Sequence, residues 1–116
     1  MLTQEQFWPS ICRLDGRELK TLDRGRPFDV VSVNDVGVVL SPAVSGKPRT
    51  IQRETLEDAF SALVERRELT GVAIAEEFSA FNAVYVAALL AALPDVAPCI
   101  RPTRLIFVGH QLFYLG

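Results

Sequence analysis

The side chains able to carry chemistry are sparse, and arginine is the type that clusters. Arg24 and Arg26 flank Gly25 in the segment Asp23–Pro27, and Lys47, Arg49 and Arg53 gather around the end of a Gly/Pro-bearing stretch, Ser41 to Pro48. Guanidinium groups grip phosphate oxygens in two-point fashion, and a helix N-terminus adds backbone N–H donors, so this set suits phosphate recognition. The plain alternative is that charged turns are simply solvated, with Asp23 and Glu54 as their partners. Catalytic groups do not assemble in the same way. His110 is the one histidine, beside Gly109 in an expected turn, with no Cys or Ser partner at a motif spacing. Glu76 and Glu77 are adjacent on an expected helix, so they point in different directions and share no site. Ser45-Gly46-Lys47 lacks the first glycine and the Lys-Ser/Thr ending of a phosphate loop.

Cys12 and Cys99 stand far apart, and with one histidine they offer no zinc-ligand spacing. They are expected as small buried hydrophobes in a reducing cytoplasm. The expectation is therefore a non-enzyme with no catalytic residues, no cofactor, no metal and no evident small-molecule substrate.

Composition sets the frame for these residues. The chain has 116 residues, 49% of them hydrophobic and 22% charged, which fits one folded domain and excludes whole-chain disorder. Its net charge of −2 excludes a globally basic nucleic-acid binder but permits a local basic patch. Ten of the 12 basic residues precede Glu68, so the second half is sparsely charged. The longest stretch without charge, Phe78 to Pro94, is too short to span a membrane and ends at proline. Met1 to Pro9 shows neither a basic start nor an apolar run, so no secretory signal is expected.

Elements must position the arginines. Thr3-Gln4-Glu5-Gln6 has capping-box form and opens a helix that Pro9 should keep short or broken. Residues 18–51 read as an antiparallel meander: Leu19–Leu22, Phe28–Val33, Val38–Leu40 and Arg49–Ile51, with turns at Asp23–Pro27, Asn34–Gly37 and Ser41–Pro48. Alternate turns of a meander share one end, which brings Arg24, Arg26, Lys47 and Arg49 together; Arg53 is expected to join them and Lys20 to flank. In Arg53–Arg67 the apolar positions Leu56, Ala59, Phe60, Leu63 and Val64 have helical spacing. A short helix follows from Thr70 to about Phe78, then a helix from Asn82 to Leu93 with no charged residue, then extended segments at Ile100–Thr103 and Arg104–Val108 and a last strand at Gln111–Leu115.

From Arg53 to Val108 this order of support helix, short helix, tight turn, second helix and hairpin (96–108) resembles a winged helix-turn-helix. The resemblance implies DNA binding, with the second helix in the major groove and Arg101 and Arg104 of the wing on phosphates. The would-be recognition helix departs from that pattern, since Asn82 and Tyr85 are its polar side chains and it carries no Lys or Arg.

A helix apolar on all sides must be covered on all sides. Either it is the central core helix, or one side meets a partner through Phe78, Phe81, Val84, Ala87, Ala88 and Ala91, with Leu112, Phe113 and Tyr114 of the C-terminal run as further anchors. The expectation from sequence is a single α+β domain: an N-terminal helix and small antiparallel β-meander (1–52) packed on a three-helix, winged-helix-like half with a C-terminal hairpin (53–116). Its expected role is that of a small cytoplasmic, bacterial-type adaptor or regulatory module, working through protein–protein contact and a homodimer. The alternative is a DNA-binding regulator using Arg24, Arg26, Lys47, Arg49, Arg53, Arg101 and Arg104.

Overall fold

A computed structural model describes residues 2–108. Its first helix, α1 (Gln4–Cys12), begins with the full capping box: Thr3 Oγ1 accepts from the Gln6 N–H, and Gln6 Oε1 accepts from the Thr3 N–H. Pro9 lies inside this helix without breaking it. The bond it removes would end on the carbonyl of exposed Glu5, which water can satisfy. The opposite side of α1 buries Phe7, Trp8 and Ile11.

The meander forms as its alternation requires: β1 (Glu18–Lys20), β2 (Pro27–Val33), β3 (Gly37–Pro42) and β4 (Arg49–Gln52), paired antiparallel in the order β1-β2-β3-β4. Phe28, Val30, Val38, Leu40 and Ile51 face the core. Val31 faces outward in step with Asp29, and a register shift between Val30 and Ser32 then ends the clean alternation of β2. At Gly37 the strands approach so closely that a Cβ would collide with the Ile51 carbonyl oxygen. No other residue type fits there.

Helix α2 (Arg53–Arg66) follows β4 directly and buries Leu56, Ala59, Phe60 and Leu63. The Phe60 ring stacks on Phe7, with centroids 4.4 Å apart, and meets Phe107 edge-on at 6.2 Å. Arg67 ends the helix in the left-handed region, at φ 69°. That conformation costs a side-chain-bearing residue energy that glycine is spared. Arg67→Gly is therefore expected to stabilise the chain by about 0.5–1 kcal/mol in a urea titration, despite the entropy glycine adds to the unfolded state.

Residues 68–70, expected to lead into a helix, instead form a strand, β5 (Glu68–Thr70). Leu69 alternates between polar neighbours and is buried; three residues are too few for that period to register in sequence. Thr70 then caps α3 (Gly71–Glu77), its Oγ1 accepting from the Ala73 N–H at 3.0 Å. Helix α4 (Ala83–Ala91) and the strands β6 (Val96–Cys99) and β7 (Arg104–Phe107) complete the described chain. The second sheet has the order β5-β7-β6, all antiparallel. Ile100–Thr103, expected to be extended, is the turn of this hairpin. The strand expected at Gln111–Leu115 lies outside the described residues. Among those residues no helix is long and apolar enough to cross a membrane.

The fold is thus α+β, with a four-stranded meander and a three-stranded sheet around four helices. The uncharged helix occupies the middle. Val86, Ala87, Ala88, Leu89 and Leu90 are all buried, and α4 touches α2, α3, β1, β6 and β7. Cover from within the same chain accounts for most of its apolarity, while Val84 near its amino end stays exposed.

Candidate functional site

Strand direction decides which cations meet. β1 and β3 run toward one end of the meander, so the β1–β2 turn and the β3–β4 loop emerge together there. The turn is latched by Thr21, a buried hydroxyl-bearing residue whose Oγ1 accepts from the Arg26 N–H at 3.1 Å. Asp23 Oδ1 accepts from the Arg24 N–H at 2.8 Å, which fixes the turn locally. The Ala43 N–H donates to the Pro27 carbonyl, tying the loop to the turn. Lys20, Arg24, Arg26, Lys47 and Arg49 therefore share one rim, and all five are exposed. Among the described residues, none of the five pairs with a carboxylate.

Arg49 does more than sit on the rim. Its Nη1 donates to the Phe81 carbonyl at 3.2 Å and to Asn82 Oδ1 at 3.3 Å, and its guanidinium lies 5.3 Å from the Tyr85 ring centroid. Tyr85 in turn packs edge-on against buried Phe28 of β2, with centroids 5.2 Å apart. This Phe28–Tyr85–Arg49 stack braces the rim against the amino-terminal end of α4. A cavity of about 180 Å³ between Arg26, Arg49, Val44 and Tyr85 opens at the junction. An apolar groove of about 270 Å³ is lined by Leu22, Val72 and Val84, with Thr103 of the hairpin turn also on its wall.

One cation expected on the rim, Arg53, is elsewhere. β4 carries the chain back to the opposite end before α2 begins, so Arg53 sits beside the β2–β3 turn, its N–H donating to the Val36 carbonyl. Its side chain lies over the Trp8 ring at 4.9 Å and bonds Glu57 at 3.2 Å. It is a packing residue there, and the expected five-residue set loses it. Arg104 is half-buried in β7, where the Cys99 sulfur and then Glu68 raise its pKa further; Glu68 lies 3.8 Å away. Arg101 is exposed in the turn that ends at the groove.

The expected partner-binding surface is mostly covered. Ala88 is 4% exposed, and Ala87, at 2%, forms the floor of the groove. Phe78 and Ala91 are half-buried against the core, which leaves Phe81 and Val84 on the surface. Leu112, Phe113, Tyr114 and His110 lie outside the described residues. Cys12, expected to be buried, is exposed near the end of α1, because it falls on the solvent side of that amphipathic helix. The described residues hold no group of three His, Cys, Asp or Glu arranged to hold a metal.

Glu77 accepts two bonds from Arg66, at 2.7 and 2.9 Å, which clamps α3 to α2. That bidentate contact holds the Glu77 carboxyl below its ordinary pKa. Glu76 faces elsewhere, as adjacent helical positions must.

Compared with known proteins, the chain matches no family model, no curated protein and no solved structure. Its own geometry carries the functional reading. The Thr21 latch and the Tyr85–Arg49 brace are features that the sequence did not signal. The brace depends on contacts between segments more than thirty residues apart, whereas the Thr21 latch reaches only to Arg26 within its own turn.

Proposed function

We propose that this chain is a non-enzymatic nucleic-acid-binding module that holds phosphates with Arg24, Arg26, Lys47 and Arg49. Lys20 flanks that set, and Arg101 adds an exposed cation in the hairpin turn. The observation that carries the reading is the gathering of exposed cations at one end of the meander, with Asp23 as the one nearby acidic residue in the turn. A chain with a net charge of −2 that concentrates cations on one rim presents a polarised field, and such a field orients a polyanion toward that rim. Regulation of DNA in the cytoplasm is the setting this reading fits.

The element order α2-β5-α3-α4-β6-β7, with sheet order β5-β7-β6, resembles the layout of a winged helix-turn-helix. In this chain β1 packs against α4, and Tyr85 of α4 packs on Phe28 of β2, so part of that helix is already engaged by the meander. Contact in this reading therefore runs through the rim, the amino end of α4 and the hairpin turn. Sequence preference should be weak, because phosphate contacts position a complex without reading bases.

Chemical-shift mapping tests the assignment. Titrating labelled protein with a short duplex at low salt is expected to move backbone resonances at 20–27, 43–49, 81–85 and 100–104. Shifts confined to the Arg53 end, or none at all, contradict it.

Self-association is the second reading, favoured by the exposed Phe81, Val72 and Val84 beside the groove. It ranks below the first because the helix that motivated it is covered by its own chain. It predicts a dimer by sedimentation at micromolar concentration, where the nucleic-acid reading requires only a monomer.

A further inference from the structure

Phe81 is 89% exposed, the most exposed large hydrophobic residue of the described chain, yet the turn that carries it is firmly held. Ser79 Oγ accepts from the Asn82 N–H at 3.1 Å, the Phe78 and Ser79 N–H groups both donate to the Ile74 carbonyl, and Arg49 binds the Phe81 carbonyl. A phenyl ring has no group that recognises phosphate. What its face offers, beside a rim of cations, is a stacking surface for a planar base.

We propose that Phe81 stacks on an unpaired base, so that the preferred ligand is single-stranded nucleic acid whose phosphates lie on Arg26, Lys47 and Arg49. This rests on the nucleic-acid reading above and narrows its ligand class. Bases inside a duplex are already stacked on both faces, and only an unpaired or splayed base can accept the ring. Arg49 links the two functions, since it is the one rim cation that touches the Phe81 turn directly. The rigid brace behind it, from Phe28 through Tyr85, keeps ring and cations in fixed register and lowers the ordering cost of binding.

The test compares wild type, Phe81→Ala and Phe81→Trp against a single-stranded oligodeoxynucleotide, the same sequence as oligoribonucleotide, and a blunt duplex, each carrying 2-aminopurine. Wild type is expected to bind single strands more tightly than duplex and to change 2-aminopurine emission in the single strand. Phe81→Ala should lose on the order of 10- to 100-fold in single-strand affinity while keeping duplex affinity within about threefold. Phe81→Trp should restore single-strand binding, with its own emission quenched by the stacked base. Better binding of the ribo- or deoxyribo-oligonucleotide identifies which sugar the site accepts. Equal single-strand affinity for wild type and Phe81→Ala overturns the stacking role while salt-sensitive duplex binding leaves the parent reading standing. Binding of no nucleic acid at low salt overturns both. Dissociation of a wild-type dimer by Phe81→Ala, with unchanged nucleic-acid affinity, would make Phe81 a protein contact and overturn the stacking role.

Discussion

Arg26→Glu/Arg49→Glu is expected to lower affinity for any duplex by more than about 100-fold at 50 mM salt, with no preference among sequences. Each reversal removes one phosphate partner and puts a repelling carboxylate in its place, so the loss exceeds that of alanine substitution. Both side chains are exposed, and Arg49 gives up two long hydrogen bonds, so the fold should survive with a Tm within a few degrees of wild type. The control is Arg13→Glu/Arg17→Glu, which changes the net charge equally at exposed positions away from the rim. That variant should stay within about threefold of wild type. Equal losses in the two variants would mean that the charge of the whole molecule, and not the rim, governs binding.

Gly37→Ala is the second large effect, and it acts through the backbone. The new Cβ would collide with the Ile51 carbonyl oxygen, an atom fixed in the β3–β4 ladder. A flexible side chain could move aside, whereas this strand cannot without breaking its pairing. The expected cost is about 3 kcal/mol, read as a Tm fall on the order of 10–20 °C. The same strand delivers Arg49 to the rim, so the variant should also weaken nucleic-acid binding at temperatures where it remains mostly folded. Gly46→Ala provides the contrast. That glycine has φ 63° but nothing within 4 Å of the added carbon, so only the left-handed backbone penalty applies, about 1 kcal/mol. A Gly37→Ala chain as stable as wild type would show that β3 and β4 are less closely paired than described.

The meander, the capping box and α2 were legible because each rests on local rules: alternation, an oxygen-bearing cap, helical spacing. The convergence of Arg24, Arg26, Lys47 and Arg49 was legible too, since alternate turns of a meander share an end whatever the side chains do. Arg53 was misplaced by the same rule applied one strand too far. β4 reverses the chain, and the first residue of α2 belongs to the other end. β5 was missed because three residues cannot display a period, and its partner β7 lies more than thirty positions away. The uncharged helix illustrates a different limit. Its composition required cover on every side, but composition cannot say whether the cover is the chain's own meander or a second molecule. Buried Ala87 and Ala88 answer that for most of the helix, and only its amino end, with Phe81 and Val84, remains open.

The most direct test of the rim is the salt dependence of wild-type binding to a labelled duplex, followed by anisotropy between about 25 and 200 mM salt. Four cations on phosphates predict a slope of log K against log salt of about −3 to −4, falling to about −2 in the Arg26→Glu/Arg49→Glu chain. A salt-insensitive interaction, or no binding at the lowest ionic strength, would contradict the account.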